Sequence, residues 1–168
     1  MEACTLLWAH GRDSEPWGDK STALAAAARA RGFVFEAPDF RDLHHEPDAR
    51  AARLAGIVRG LPGPAALVGS SMGGYVAAAA AMQVPVRGLF LLAPALYFPG
   101  YERQDFSGLT APVTVVHGWR DDVIPPAHSV RFAEGLRARL LLLDGDHRLK
   151  ANLPDLLKYF TMFLDEIG

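Results

Sequence analysis

Short, continuous apolar runs alternate with longer helix-compatible segments, and no other feature restricts the fold of this chain so tightly. The runs cover residues 5–9, 33–35, 65–68, 88–92, 113–116 and 140–143. They show little apolar–polar alternation, which suits strands covered on both faces. Residues 20–31, 48–59, 72–82, 126–136 and 154–166 have helical composition, and Pro126 and Pro154 fit first-turn positions. Strand and helix taking turns predicts an α/β fold, a mostly parallel sheet of about six strands with helices on both faces.

Composition narrows what such a fold is for. At 168 residues the chain is long enough for one domain, expected over residues 1–168, with a core that needs no cross-link. Half the residues are hydrophobic and 21% are charged, which excludes overall disorder. A net charge of −2 offers no basic excess to steer the chain to nucleic acid or an anionic membrane. The lone cysteine, Cys4, excludes an internal disulfide framework and a cysteine-rich zinc site, and is expected as a small buried residue. The N-terminus lacks the pattern of a secretory leader, and no stretch reaches the ~20 apolar residues of a membrane helix. A cytoplasmic protein is the expectation. No repeat or low-complexity linker divides the sequence.

The segment Ala65-Ala66-Leu67-Val68-Gly69-Ser70-Ser71-Met72-Gly73-Gly74-Tyr75 carries the most chemistry. An apolar strand runs into Gly-x-Ser-x-Gly and then into an alanine-rich helix, the setting in which a sharp turn lifts a serine hydroxyl above a sheet. Register selects Ser71, which has glycine two residues before and two after; Ser70 would need glycine at Val68 and Met72. The helix from Met72 presents unpaired N–H groups where an oxyanion would form.

A serine needs a base and an orienting acid. Of six histidines, His147 follows the last strand and is the expected base. His10 and His117 precede glycines at strand ends and read as packing and turn residues. His44, His45 and His128 read as solvated. For the acid, Asp121 and Asp122 share the turn after the fifth strand, and the residues alone leave the choice open. At the end of the first strand, His10-Gly11-Arg12 forms a loop that can offer a second oxyanion N–H, with Arg12 as the candidate beside Met72.

Together these stretches resemble the α/β-hydrolase family, and more narrowly its small, lidless bacterial members related to carboxylesterases and dienelactone hydrolases. The resemblance runs from His10-Gly11 through Gly69–Gly74 and His117-Gly118 to Asp146-His147. It implies a minimal α/β-hydrolase fold with no cap domain after the fourth strand and without the family's first two antiparallel strands. In that family the His-Gly-x-x-Asp pattern carries the acid at its fifth position, here Asp121.

The expected activity is hydrolysis of a carboxylic ester or thioester through an acyl-enzyme on Ser71, Asp121 and His147, with a small acyl ester or an acylated molecule as substrate. Trp17, Tyr97, Phe98, Trp119 and Leu149 are candidate pocket residues. Residues 94–111, rich in aromatics, proline and glycine, are read as a surface loop held down by its aromatics or as a short lid. No cofactor is expected. Adjacent His44-His45 lacks the i, i+4 spacing of a zinc helix, and Gly69–Gly74 is not spaced for a dinucleotide. The rival readings are a non-catalytic binding protein on this scaffold and, among enzymes, a thioesterase or peptidase.

Overall fold

The computed structural model describes residues 2–168; Met1, the first residue of the expected domain, lies outside the described residues. Eleven main elements follow one another as β1 (Thr5–Ala9), α1 (Asp19–Arg29), β2 (Val34–Glu36), α2 (Pro47–Gly60), β3 (Ala65–Ser70), α3 (Met72–Ala81), β4 (Leu89–Leu92), β5 (Val113–Gly118), α4 (Pro126–Leu136), β6 (Arg139–Leu143) and α5 (Leu153–Ile167). Single 3-10 turns at Arg41–Leu43 and Lys150–Asn152 were not expected from the sequence. β3 and β5 run two residues past their apolar runs, because the glycines there keep an extended backbone.

The strands form one sheet in the order β2-β1-β3-β4-β5-β6, and every pairing is parallel. The chain steps outward from β1 to β2, then returns to place β3 on the other side of β1. This reversal opens a crevice at the carboxyl ends of β1 and β3, where sheets of this type place their ligands.

Alternate side chains divide the core into two layers. Leu7, Leu67, Leu89, Leu91 and Val115 face the layer of α2, α3 and α4. Leu6, Trp8, Val68, Phe90 and Val116 face α1 and α5. Cys4 is buried on the second side, as expected. The four inner strands match the prediction of burial on both faces, but the two outer strands do not. β2 buries only Phe35, and β6 is at most half-buried. Each is an edge strand with a neighbour on one side only.

The segment between β4 and β5 is packed down, as the first of its two readings held. Leu96, Phe106 and Leu109 are buried, and the Phe106 ring meets Phe132 of α4 edge-on at 5.4 Å. Tyr75 of α3 donates its hydroxyl to Asp48 and accepts from the Arg103 N–H at 2.9 Å, pinning this segment to α2 and α3. No helix among the described residues is long and apolar enough to cross a membrane.

Candidate active site

Ser71 sits between β3 and α3 with φ 56° and ψ −122°, a conformation that costs a non-glycine residue roughly 1–3 kcal/mol. Its backbone is strapped in place. The Ser71 N–H donates to Leu92 O at 3.0 Å, and its carbonyl accepts from Gly74 and Ala95 N–H at 2.9 Å each. A serine before a helix ordinarily caps it. Ser71 makes no such bond. Its Oγ lies instead 3.1 Å from Nε2 of His147.

The glycines of the motif explain the sharpness of the turn. A Cβ on Gly73 would stand 1.9 Å from the Ala9 carbonyl oxygen, and one on Gly69 would stand 2.2 Å from that of Gly73. α3 therefore crosses directly over the ends of β1 and β3, and only hydrogen fits at the crossing.

His147 Nδ1 lies 2.8 Å from Asp121 Oδ2. With an acceptor there, Nδ1 carries the hydrogen and Nε2 is left to face Ser71. The loops bearing the two residues are zipped together. Trp119 N–H donates to Leu143 O at 2.8 Å and Arg120 N–H to Gly145 O at 3.0 Å. A Cβ on Gly118 would stand 2.2 Å from the Gly145 carbonyl oxygen, so the glycine after His117 permits this close approach. Asp121 Oδ1 accepts from Val123 and Ile124 N–H at 2.9 and 2.8 Å. Burial pushes the Asp121 carboxyl up, but these N–H groups and His147 outweigh it and hold it below the usual carboxylate range. Asp122, the alternative acid, is exposed.

The crevice at the ends of β1 and β3 also holds His10, Gly11 and Arg12. Arg50 of α2 organises this loop, and nothing in its sequence context marked it. Wholly buried, its guanidinium donates to the carbonyls of His10, Gly11, Arg12, Leu43 and His44 at 2.9–3.4 Å. The Arg12 side chain points outward to Asp13 at 3.0 Å. Met72 opens α3, so its N–H has no intrahelical acceptor. Lys20 was likewise missed. It donates to Ser70 Oγ at 3.2 Å, and burial pushes its ammonium down to about 8 against the attraction of Asp146.

The remaining histidines sort by contact. His10 is buried; its Nδ1 lies 2.9 Å from Gly11 O, and its Nε2 accepts from Phe40 N–H at 2.9 Å. His44 is half-buried and lies 2.7 Å from Asp13. His128 is not solvated as expected. Its Nδ1 lies 2.8 Å from Leu96 O, and its ring packs edge-on to Tyr97 and Phe98. His117 does more than end a strand: its Nε2 lies 2.9 Å from Oδ2 of Asp121, the oxygen that His147 also meets.

The expected pocket residues divide. Leu149 is a core residue, not a pocket residue. A left-handed backbone (φ 55°) folds its side chain under the His147 loop and against α5, with no exposure. Trp17 packs on Phe35 and under Arg29, and Tyr97 on Phe106, His128 and Arg131. Trp119 is 61% exposed. Two clefts of about 480 and 540 Å³ lie elsewhere, beside Asp48 and Glu102 and between Arg59 and Arg87, and neither touches Ser71 or His147.

The description "alpha/beta hydrolase family" fits residues 6–166, nearly the whole chain. The chain belongs to the alpha/beta hydrolase family. An alpha/beta-superfamily protein from Xanthomonas campestris pv. campestris is 36% identical, with 98% of this chain and 99% of that one aligned at a TM-score of 0.89. The two chains have nearly the same extent. Est1E from Butyrivibrio proteoclasticus (18% identity, 98% and 88% covered, TM-score 0.84) shares the fold. So does the Pyrococcus furiosus esterase Pf2001 (17%, 97% and 81%, 0.80). No curated protein matches. Membership of this hydrolase family supports hydrolysis as the general activity.

Proposed function

We propose that this hydrolase is a serine esterase that cleaves a carboxylic ester or thioester through an acyl-enzyme. One observation carries the reading: at the strained strand–helix turn, the hydroxyl of Ser71 forgoes capping and meets His147, which is held by Asp121.

In this reading Ser71 Oγ attacks the acyl carbonyl while His147 Nε2 takes its proton. The carbonyl π pair moves to oxygen, where the backbone N–H groups of Met72 and Arg12 receive it. Asp121 keeps His147 in the Nδ1–H tautomer and stabilises the imidazolium. As the tetrahedral species collapses, the bond to the alcohol or thiol breaks and His147 protonates the departing group. Water, deprotonated by His147, then attacks the acyl-enzyme, and Ser71 leaves with the proton. An oxyanion donor is worth roughly 3–4 kcal/mol of barrier in such sites. The absence of an inserted cap between β4 and β5 fits small or exposed acyl groups.

Initial rates on short-chain p-nitrophenyl esters, acyl-coenzyme A thioesters and aminoacyl amides test the reading. Ester or thioester turnover is expected, with Ser71→Ala falling by at least a thousandfold. Turnover of amides alone would replace the esterase with a peptidase. Turnover that survives in Ser71→Ala would remove Ser71 from the mechanism.

A further inference from the structure

We propose that His117 is a positioning residue for this reaction: it donates its Nε2–H to Oδ2 of Asp121, the oxygen that also accepts from His147, and so limits how tightly Asp121 holds the protonated base. The proposal rests on the triad reading above.

His117 lies in β5, four residues before Asp121, and both side chains are wholly buried. Its Nε2 stands 2.9 Å from Asp121 Oδ2 and 3.0 Å from Ile124 O. Both neighbours are acceptors, so Nε2 carries a hydrogen. Nδ1 lies 2.6 Å from Oγ of Ser129, a buried residue of α4, and accepts that hydroxyl's hydrogen. The tautomer is thus set from both sides of the ring. Burial, opposed by Ile124 O and Asp121, holds His117 below the ordinary histidine range, so the ring is neutral. The titratable groups that face it are Asp121 on the turn that follows and His147 from the loop after β6. α4 contributes the neutral Ser129. His147 is faced by the same Asp121 and His117; Asp146 and Arg148 beside it are exposed, and Lys20 of α1 lies within electrostatic reach of that loop.

Asp121 therefore receives four N–H groups, those of Val123 and Ile124 on Oδ1 and those of His117 and His147 on Oδ2. An oxygen shared between two donors offers each less charge than it would offer one. Without the His117 donor, Asp121 binds the imidazolium of His147 more strongly, and the base becomes free only at higher pH. A histidine that merely packs would, when replaced, lower stability or rate with the pH dependence left in place.

The second-order rate of labelling by an alkyl fluorophosphonate, measured on the full chain from pH 5 to 9, reads this directly. Three variants separate donor from shape. In His117→Gln the amide nitrogen reaches the Nε2 position and keeps the donor. In His117→Phe the ring is filled and the donor lost. In His117→Asn the amide reaches only the Nδ1 position. Wild type and His117→Gln are expected to share one acidic limb. The limb of His117→Phe and His117→Asn is expected to move upward by about half to one pH unit, which slows labelling near pH 6 about 3- to 10-fold. An unmoved limb in both, or a His117→Gln limb that moves with theirs, overturns the proposal. Should His117→Phe fail to fold, His117→Asn against His117→Gln carries the same comparison. Wild-type protein that labels at no pH overturns the triad reading instead, so the two failures are distinguishable.

Discussion

Ser71 has the backbone of a strained residue and the side chain of a misplaced cap, and the two facts have one cause. Its φ of 56° turns Oγ away from the helix N–H groups it would otherwise cap and toward His147. The histidines show the same economy of placement. His10 is 1% exposed, with Nε2 accepting from Phe40 N–H, so its ring is neutral; burial holds it below the ordinary histidine range. His117 is held down in the same way. For both, the unfolded chain takes up its proton at a higher pH than the folded one. Their contribution to stability is therefore complete above about pH 6.5 and is lost as pH falls below that value. Thermal melts are expected to show a lower Tm at pH 5.5 than at 7.5, with part of the slope removed in His10→Gln. Equal Tm values across that range would contradict the buried neutral rings. Burial shifts Lys20 in the same direction. Burial beside the Ser70 hydroxyl pulls its ammonium down to about 8, so carrying the charge at pH 7 costs stability. Lys20→Met is expected to raise Tm by a few degrees at pH 7, and a fall would show that the ammonium contributes more than its burial costs.

At the scale of elements, close backbone approaches and one buried cation hold the site together. α3 crosses β1 at Gly73, where a methyl group would stand 1.9 Å from a carbonyl oxygen. The obstacle is backbone, not a movable side chain, so the helix itself has to shift. Gly73→Ala is expected to cost about 3 kcal/mol or more in urea unfolding and to displace the Met72 N–H. A loss under ~1 kcal/mol would mean that α3 moves freely over the sheet. Arg50 holds the other side of the crevice through five carbonyls. Arg50→Met leaves several of those acceptors unpaired, with an expected cost of about 2–4 kcal/mol. Wild-type stability in that variant would show that water replaces the guanidinium at no cost. The sequence made the first of these devices legible and hid the second. Gly69 and Gly73 flank a serine at fixed spacing between a strand and a helix, so their purpose can be read locally. Arg50 lies in α2 among other arginines, and its partners lie up to 40 residues away. No local pattern distinguishes it from a solvated neighbour.

Across the whole molecule, the alternation of apolar runs and helical segments was enough for the architecture. Five helices and six parallel strands stand within a few residues of their expected places. What alternation could not supply is which strands lie at the edges, because lateral order leaves a weak trace in sequence. The run at 140–143 is as apolar as any inner strand, yet β6 is half-buried. The order Ser71, Asp121, His147 was legible because each follows a strand and therefore reaches the same edge of a parallel sheet. The family resemblance was needed to choose Asp121 over Asp122, and hydrogen bonds to Val123 and Ile124 N–H now distinguish the buried acid from its exposed neighbour. Leu149 was misplaced because its left-handed turn is invisible in sequence. Everything proposed for this hydrolase depends on Ser71 being activated in the folded chain. Reaction of the native protein with an alkyl fluorophosphonate, followed by peptide mass mapping, tests that most directly. The account predicts a single adduct on the peptide containing Ser71, absent from Ser71→Ala and from heat-denatured protein. Labelling at another residue, or none in folded protein that also resists a smaller organophosphate, would contradict it.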